Sequence, residues 1–121
     1  MRTAYWIVAA FLAVLYLYSG ALKILRSKDQ LRPMMAWVDA MPLRFVRAIG
    51  VVEVLGALGL ILPPLTGIAP ALAVAAAIGF VLVQVGALFL HLSRGEVKVI
   101  GLNIGLLALA VVTVWLATTW L

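Results

Sequence analysis

The 121-residue chain contains no cysteine, one histidine and only four acidic residues. Without thiols there is no disulfide framework, thiolate metal site, iron–sulfur cluster or dithiol redox chemistry. A lone histidine without clustered carboxylates is a poor metal site, so none is expected. No GxSxG, Walker, dinucleotide-binding or HExxH pattern occurs, and the chain carries no autonomous catalytic motif. Charged residues make up 11% of the chain and hydrophobic ones 67%, whereas a soluble domain has about 25% charged and roughly 45–50% apolar residues. A soluble protein this small needs polar groups over most of its large relative surface. The sequence therefore describes an integral membrane protein, expected to form a single domain over residues 1–121.

A helix needs about 20 apolar residues to cross the hydrocarbon core of a bilayer. The first charge-free stretch runs from Thr3 to Leu22. A longer one between Glu53 and Arg94 is interrupted by Pro63, Pro64, Gly67 and Pro70, which predict a turn. Pro70 suits the first turn of the following helix, where a missing N–H costs nothing. Spans are thus expected near 44–62 and 68–92, with a fourth over 99–121. Arg2 followed by an apolar run and Ser19-Gly20-Ala21 has the outline of a secretory signal peptide. The run is longer than a signal core, however, and Tyr16 and Tyr18 are bulky where processing requires small residues. The expected fold is all-α, a four-transmembrane-helix bundle.

Four spans place both termini on one side, together with Arg2 alone. Lys23, Arg26, Lys28, Arg32, Arg44, Arg47, Arg94 and Lys98 fall on the other side. By the positive-inside rule that side is cytoplasmic. The expected setting is a bacterial inner membrane with both termini outside the cytoplasm. Such a bias also opposes dual topology. Between the first two spans, Leu31, Met34, Met35, Val38 and Met41 recur at helical spacing. This predicts an interfacial amphipathic segment, with Ser27 and Gln30 forming a capping box and Pro33 and Pro42 bounding the helical piece. Trp37 is expected at headgroup level. The segment serves either as a lipid-contacting surface helix or as a gate over a pocket.

Glu53 lies near the middle of the second span, where a charge costs about 2.5 to 3.5 kcal/mol on insertion scales. It requires a partner, and Lys23 at the end of the first span is the candidate. Tyr16, Ser19 and Lys23 form a polar stripe on one helical face. Gln84 and His91 share a face of the third span, with Gln84 at a depth similar to that of Glu53. His91 and Asn103 flank the third connection and are expected to meet there. Tyr16, Ser19, Lys23, Glu53, Gln84, His91 and Asn103 are the candidate ligand-binding residues, because intramembrane polar groups mark functional sites. The competing reading is mutual satisfaction as structural glue between helices. Gly50, Gly56 and Gly59 mark close helix approach around Glu53. If Asn103 turns inward, Gly101 and Gly105 face outward and suit a homodimer contact.

The segments Tyr18-Ser-Gly-Ala-Leu-Lys23, Gly50-Val-Val-Glu53 through Pro63, and His91-Leu-Ser-Arg-Gly-Glu96, followed by Asn103, together resemble the DoxX-like family of small membrane proteins. The resemblance implies a four-helix membrane bundle and, through relatives associated with thiosulfate and quinone oxidation, an accessory place in a membrane redox complex. It is also similar to chaperones of acetylcholine-receptor assembly and, more distantly, to sterol-pocket proteins. Lys23, Glu53, His91 and Asn103 match family positions without an assigned chemistry. The leading expectation is a non-enzymatic subunit binding a quinone or isoprenoid lipid. Glu53, Lys23 and Gln84 would meet the head, and Tyr16, Phe80 and aliphatic residues would surround the tail. No covalent cofactor and no nucleic-acid partner are expected. An assembly factor for client membrane proteins and a small proton-coupled transporter are the alternatives. We predict that single cysteines introduced at Ser27 and Ser93 resist an impermeant thiol reagent in intact cells while one appended after Leu121 is labelled. The reverse pattern would overturn the orientation.

Overall fold

Long runs of Leu, Val, Ile and Ala close their backbone hydrogen bonds within one segment, as a bilayer demands. In the computed structural model, which describes residues 1–121, these runs form four long apolar helices. The order is α1 (Arg2–Leu25), a short α2 (Lys28–Leu31), a 3-10 turn (Ala36–Ala40), α3 (Leu43–Thr66), α4 (Leu72–Ser93) and α5 (Val97–Ala117), closed by a 3-10 turn at Thr118–Trp120. The expected all-α four-span bundle is thus the observed fold. Helix α1 packs chiefly on α3, and α4 on α5; α3 and α4 share a smaller interface, and α1 and α5 a smaller one still. Both termini and the α3–α4 turn lie at one end, the terminal end. The α2 segment and the α4–α5 turn lie at the other, which carries eight of the nine basic residues.

Two glycines set the α1–α3 distance. A Cβ on Gly20 would come within 2.7 Å of the Gly50 carbonyl oxygen, and one on Gly50 within 2.7 Å of the Gly20 carbonyl oxygen. Backbone touches backbone at this crossing, three residues from both Lys23 and Glu53. Gly56 similarly lies under the Phe80 ring, whose Cζ would be 2.7 Å from an added Cβ. The expected close approach around Glu53 is therefore present. Gly101 and Gly105 have no atom within 4 Å of an added Cβ and face outward, while Asn103 between them is buried.

The prolines depart from expectation. Helix α3 does not stop at Pro63 but continues through Pro63 and Pro64 to Thr66, ending on Gly67 with φ 74°. Pro64 has no N–H to offer the Leu60 carbonyl, which instead accepts the Tyr5 hydroxyl of α1 at 2.5 Å. A side chain thus replaces the missing backbone bond. Helix α4 starts at Leu72, two residues after Pro70, and i→i+3 bonds to the Ala69, Pro70 and Ala71 carbonyls lead into it. Around Tyr5, the Trp6 and Trp120 rings meet edge to face, with the three centroids 5.4 to 5.8 Å apart. This aromatic cluster closes the terminal end.

The segment between α1 and α3 forms two short helical pieces on either side of Pro33. The Ser27–Gln30 capping box forms, but Pro33 ends α2 after a single turn and the chain restarts as a 3-10 turn at Ala36. Leu31 and Val38 converge from the two pieces onto Leu22 and Val46 and are fully buried. Arg32 clamps the pieces together, its Nε donating to Asp39 at 2.9 and 3.0 Å and its Nη1 to Asp29 at 2.7 Å. The result is a strap across the basic end. We predict that Tyr5→Phe costs about 1 kcal/mol of stability in detergent, and that the cost shrinks in a Pro64→Ala background, where an amide N–H returns to the Leu60 carbonyl. Equal costs in both backgrounds would show that the hydroxyl does not replace that bond.

Candidate functional site

Lys23 and Glu53 meet across the glycine crossing. Lys23 Nζ donates to Glu53 Oε1 at 2.5 Å and to Ser19 Oγ at 2.9 Å. The two charged residues are only 6% and 2% exposed, so neither has enough water to be stable alone. The expected pairing of Glu53 with Lys23 is present. Lys23 Nζ also lies 5.6 Å from the Trp37 ring centroid, within cation–π range. The Trp37 ring therefore faces the bundle from the strap. Arg47 fixes the end of α1 by donating to the carbonyls of Lys23, Ile24 and Arg26, which have no helical N–H partners of their own. In the sequence, Arg47 is distinguished only by its charge. Its position six residues before Glu53, on the helix facing α1, was the available signal.

A second polar group crosses the other helices. Gln84 Nε2 donates to the Tyr16 hydroxyl, and Gln84 Oε1 accepts from Asn103 Nδ2 at 3.0 Å. The expected meeting of His91 with Asn103 is not observed. In the antiparallel α4–α5 pair, Asn103 lies eight residues beyond Gly95, whereas His91 lies only four residues before it. The register carries Asn103 past His91 to Gln84. His91 Nδ1 instead faces Glu96 Oε1 at 3.2 Å, and Arg94 Nε donates to the same oxygen at 2.7 Å. Burial pushes the Glu96 carboxyl up, but the hydrogen bonds from Arg94 and His91 outweigh it and hold the group below its ordinary range. Arg94 also reaches the Ala36 carbonyl at 3.3 Å, tying the α4–α5 turn to the strap.

These groups surround a cavity of about 610 Å³ at the basic end of the bundle, to which all four long helices and the strap contribute. All seven candidate residues, Tyr16, Ser19, Lys23, Glu53, Gln84, His91 and Asn103, are among its 22 lining residues, of which 15 are hydrophobic. Met35, Trp37 and Met41 cover it from the strap. Val52 and Leu82 line the cavity while remaining 51% and 66% exposed, so its wall reaches the lipid-facing surface of α3 and α4. Phe80 is not in the wall. It stacks beneath Tyr16 with centroids 4.0 Å apart and planes at 19°, forming a floor that separates the cavity from the packed terminal end.

The fold and cavity define a small four-span membrane bundle with a polar cluster inside an otherwise apolar chamber. A model of the DoxX-like family matches residues 7–113, and the chain belongs to that family. No curated protein and no solved structure matches the chain. We predict that Lys23→Met and Glu53→Gln each destabilise the detergent-solubilised protein by about 3 to 5 kcal/mol, the cost of stranding one buried charge, and that the double variant recovers part of the loss. Additive losses would mean that the two side chains are not coupled.

Proposed function

We propose that this DoxX-like protein binds a hydrophobic molecule with a polar head, of the quinone or isoprenoid-lipid class, and serves as an accessory subunit of a membrane redox complex. One observation carries the reading: a cavity of about 610 Å³, within the roughly 300–1,000 Å³ of small-molecule sites, gathers seven polar side chains against a mainly apolar wall. Chambers lined in this way bind through apolar contact and orient through a few polar groups. Lys23, Glu53 and Gln84 would meet the head, and Tyr16, Ser19, His91 and Asn103 would complete its surroundings. The half-exposed Val52 and Leu82 offer the tail a route to the bilayer between α3 and α4. No covalent cofactor is needed for this role.

The setting we propose is a bacterial inner membrane with both termini outside the cytoplasm, supported by eight basic residues on one side against one on the other. The outward face of Gly101 and Gly105 favours close helix contact, either with a second copy or, in a second reading as an assembly factor, with a client membrane protein. Native mass spectrometry from mild detergent addresses ligand and assembly together. The wild type is expected to release a lipid or quinone of defined mass, and Ala87→Phe, which adds volume at the cavity wall, should lose it while staying folded. A dimer peak should disappear in the Gly101→Leu/Gly105→Leu variant. A folded wild type without any bound molecule would remove the binding reading. A stable membrane-protein partner in place of the ligand would favour the assembly factor.

A further inference from the structure

Hydrogen-bond capacity at the cavity narrows the chemistry of the head group. Glu53 uses Oε1 for Lys23, but its Oε2 is buried without any hydrogen-bond partner. As the salt-bridge partner of Lys23, the carboxylate only accepts. A buried acceptor left unmade costs the full desolvation of that oxygen. On the opposite wall, His91 directs Nδ1 at Glu96 Oε1 at 3.2 Å. No side chain meets Nε2. Gln84 is committed at both ends, to Tyr16 and to Asn103. Beside Glu53 the unmet need is therefore for a donor.

Resting on the ligand-binding reading above, we propose that the head group is a neutral hydroxyl carried on an apolar chain or ring, and that Glu53 Oε2 accepts its hydrogen bond. A cationic head is disfavoured because the Lys23 ammonium already occupies the same carboxylate, and a second buried cation would repel it. An anionic head would face the Glu53 charge. A head that only accepts, such as the carbonyls of an oxidised quinone, leaves Oε2 unpaired. A hydroxyl satisfies it without adding charge, and a hydrogen bond to a carboxylate is among the stronger kinds.

Two hydroxyl sources fit, an isoprenoid alcohol and a quinol, and matched pairs separate them. Binding to the intact protein in detergent is measured for farnesol against farnesyl methyl ether, and anaerobically for a decyl-substituted quinol against its quinone. At least one hydroxyl compound is expected to bind about tenfold or more tightly than its partner, and the pair that shows the difference identifies the source. In a Lys23→Met/Glu53→Met double variant, which removes the acceptor without stranding a charge, the preference should vanish. Equal binding within both pairs, or tighter binding of the ether and quinone, would overturn the hydroxyl assignment while leaving the ligand-binding reading in place. So would a preference that survives in the double variant. Failure of all four compounds to bind the folded wild type would overturn both.

Discussion

The buried ion pair of Lys23 and Glu53 is the constraint around which the rest of the bundle is arranged. A carboxylate near the middle of a membrane span is costly, and removing its partner would leave a charge that neither lipid nor protein can solvate. The pair forms only because α1 and α3 touch backbone to backbone at Gly20 and Gly50, bringing two side chains thirty residues apart in sequence to 2.5 Å. Arg47 then holds the frayed carbonyls of α1 in place, so the stem of Lys23 starts from a fixed point. Glycine contact, carbonyl capping and charge pairing are thus three parts of one device. Loss of any one would be felt by the other two.

This device divides the molecule along its length. Toward the terminal end, small residues such as Ala57, Ala73, Ala77 and Ala110 let the helices close on one another, and the Tyr5, Trp6 and Trp120 rings fill the gap between the first and last helices. Toward the basic end, α1 and α3 remain in backbone contact at Gly20 and Gly50, and polar side chains of all four long helices face the cavity. Tyr16 stands at the boundary, its ring on Phe80 and its hydroxyl in the polar group. The cavity is not a packing defect, since its polar wall groups bond largely to one another across helices. Such cross-bonds, when satisfied, make a polar network rigid.

Charge counting and apolar run lengths made the four spans, the end at which basic residues gather and the partner of Glu53 legible. These features depend on solvation and on residue period, both local to the sequence. The path of α3 through Pro63 and Pro64 was not legible, because the donor replacing the lost N–H is Tyr5 on another helix. Nor was the pairing of Asn103 with Gln84, because residue spacing gives the face of a helix but not the register between two helices. In the strap, the capping box and the Pro33 and Pro42 boundaries are legible in the sequence, but the inward folding is not, because it depends on tertiary burial of Leu31 and Val38 against Leu22 and Val46. All seven polar candidates nevertheless line one cavity, because polar side chains in adjacent apolar helices have few other places to point.

The two sets of ion pairs differ in environment and therefore in role. Lys23–Glu53 is shielded from solvent and persists because its separation is costly. The strap is held by Arg32 with Asp29 and Asp39, and by Arg94 with Glu96, where side chains remain partly or largely exposed. Hydrogen bonds from Arg32 hold the Asp39 carboxyl below its ordinary range. Its contribution is therefore complete above the unfolded-state value and lost as the pH falls through the folded one. Exposed pairs of this kind are weak and are screened by salt. The ion-pair fastening of the strap is therefore the weaker of the two, and the strap is held as well by burial of Leu31 and Val38 against Leu22 and Val46.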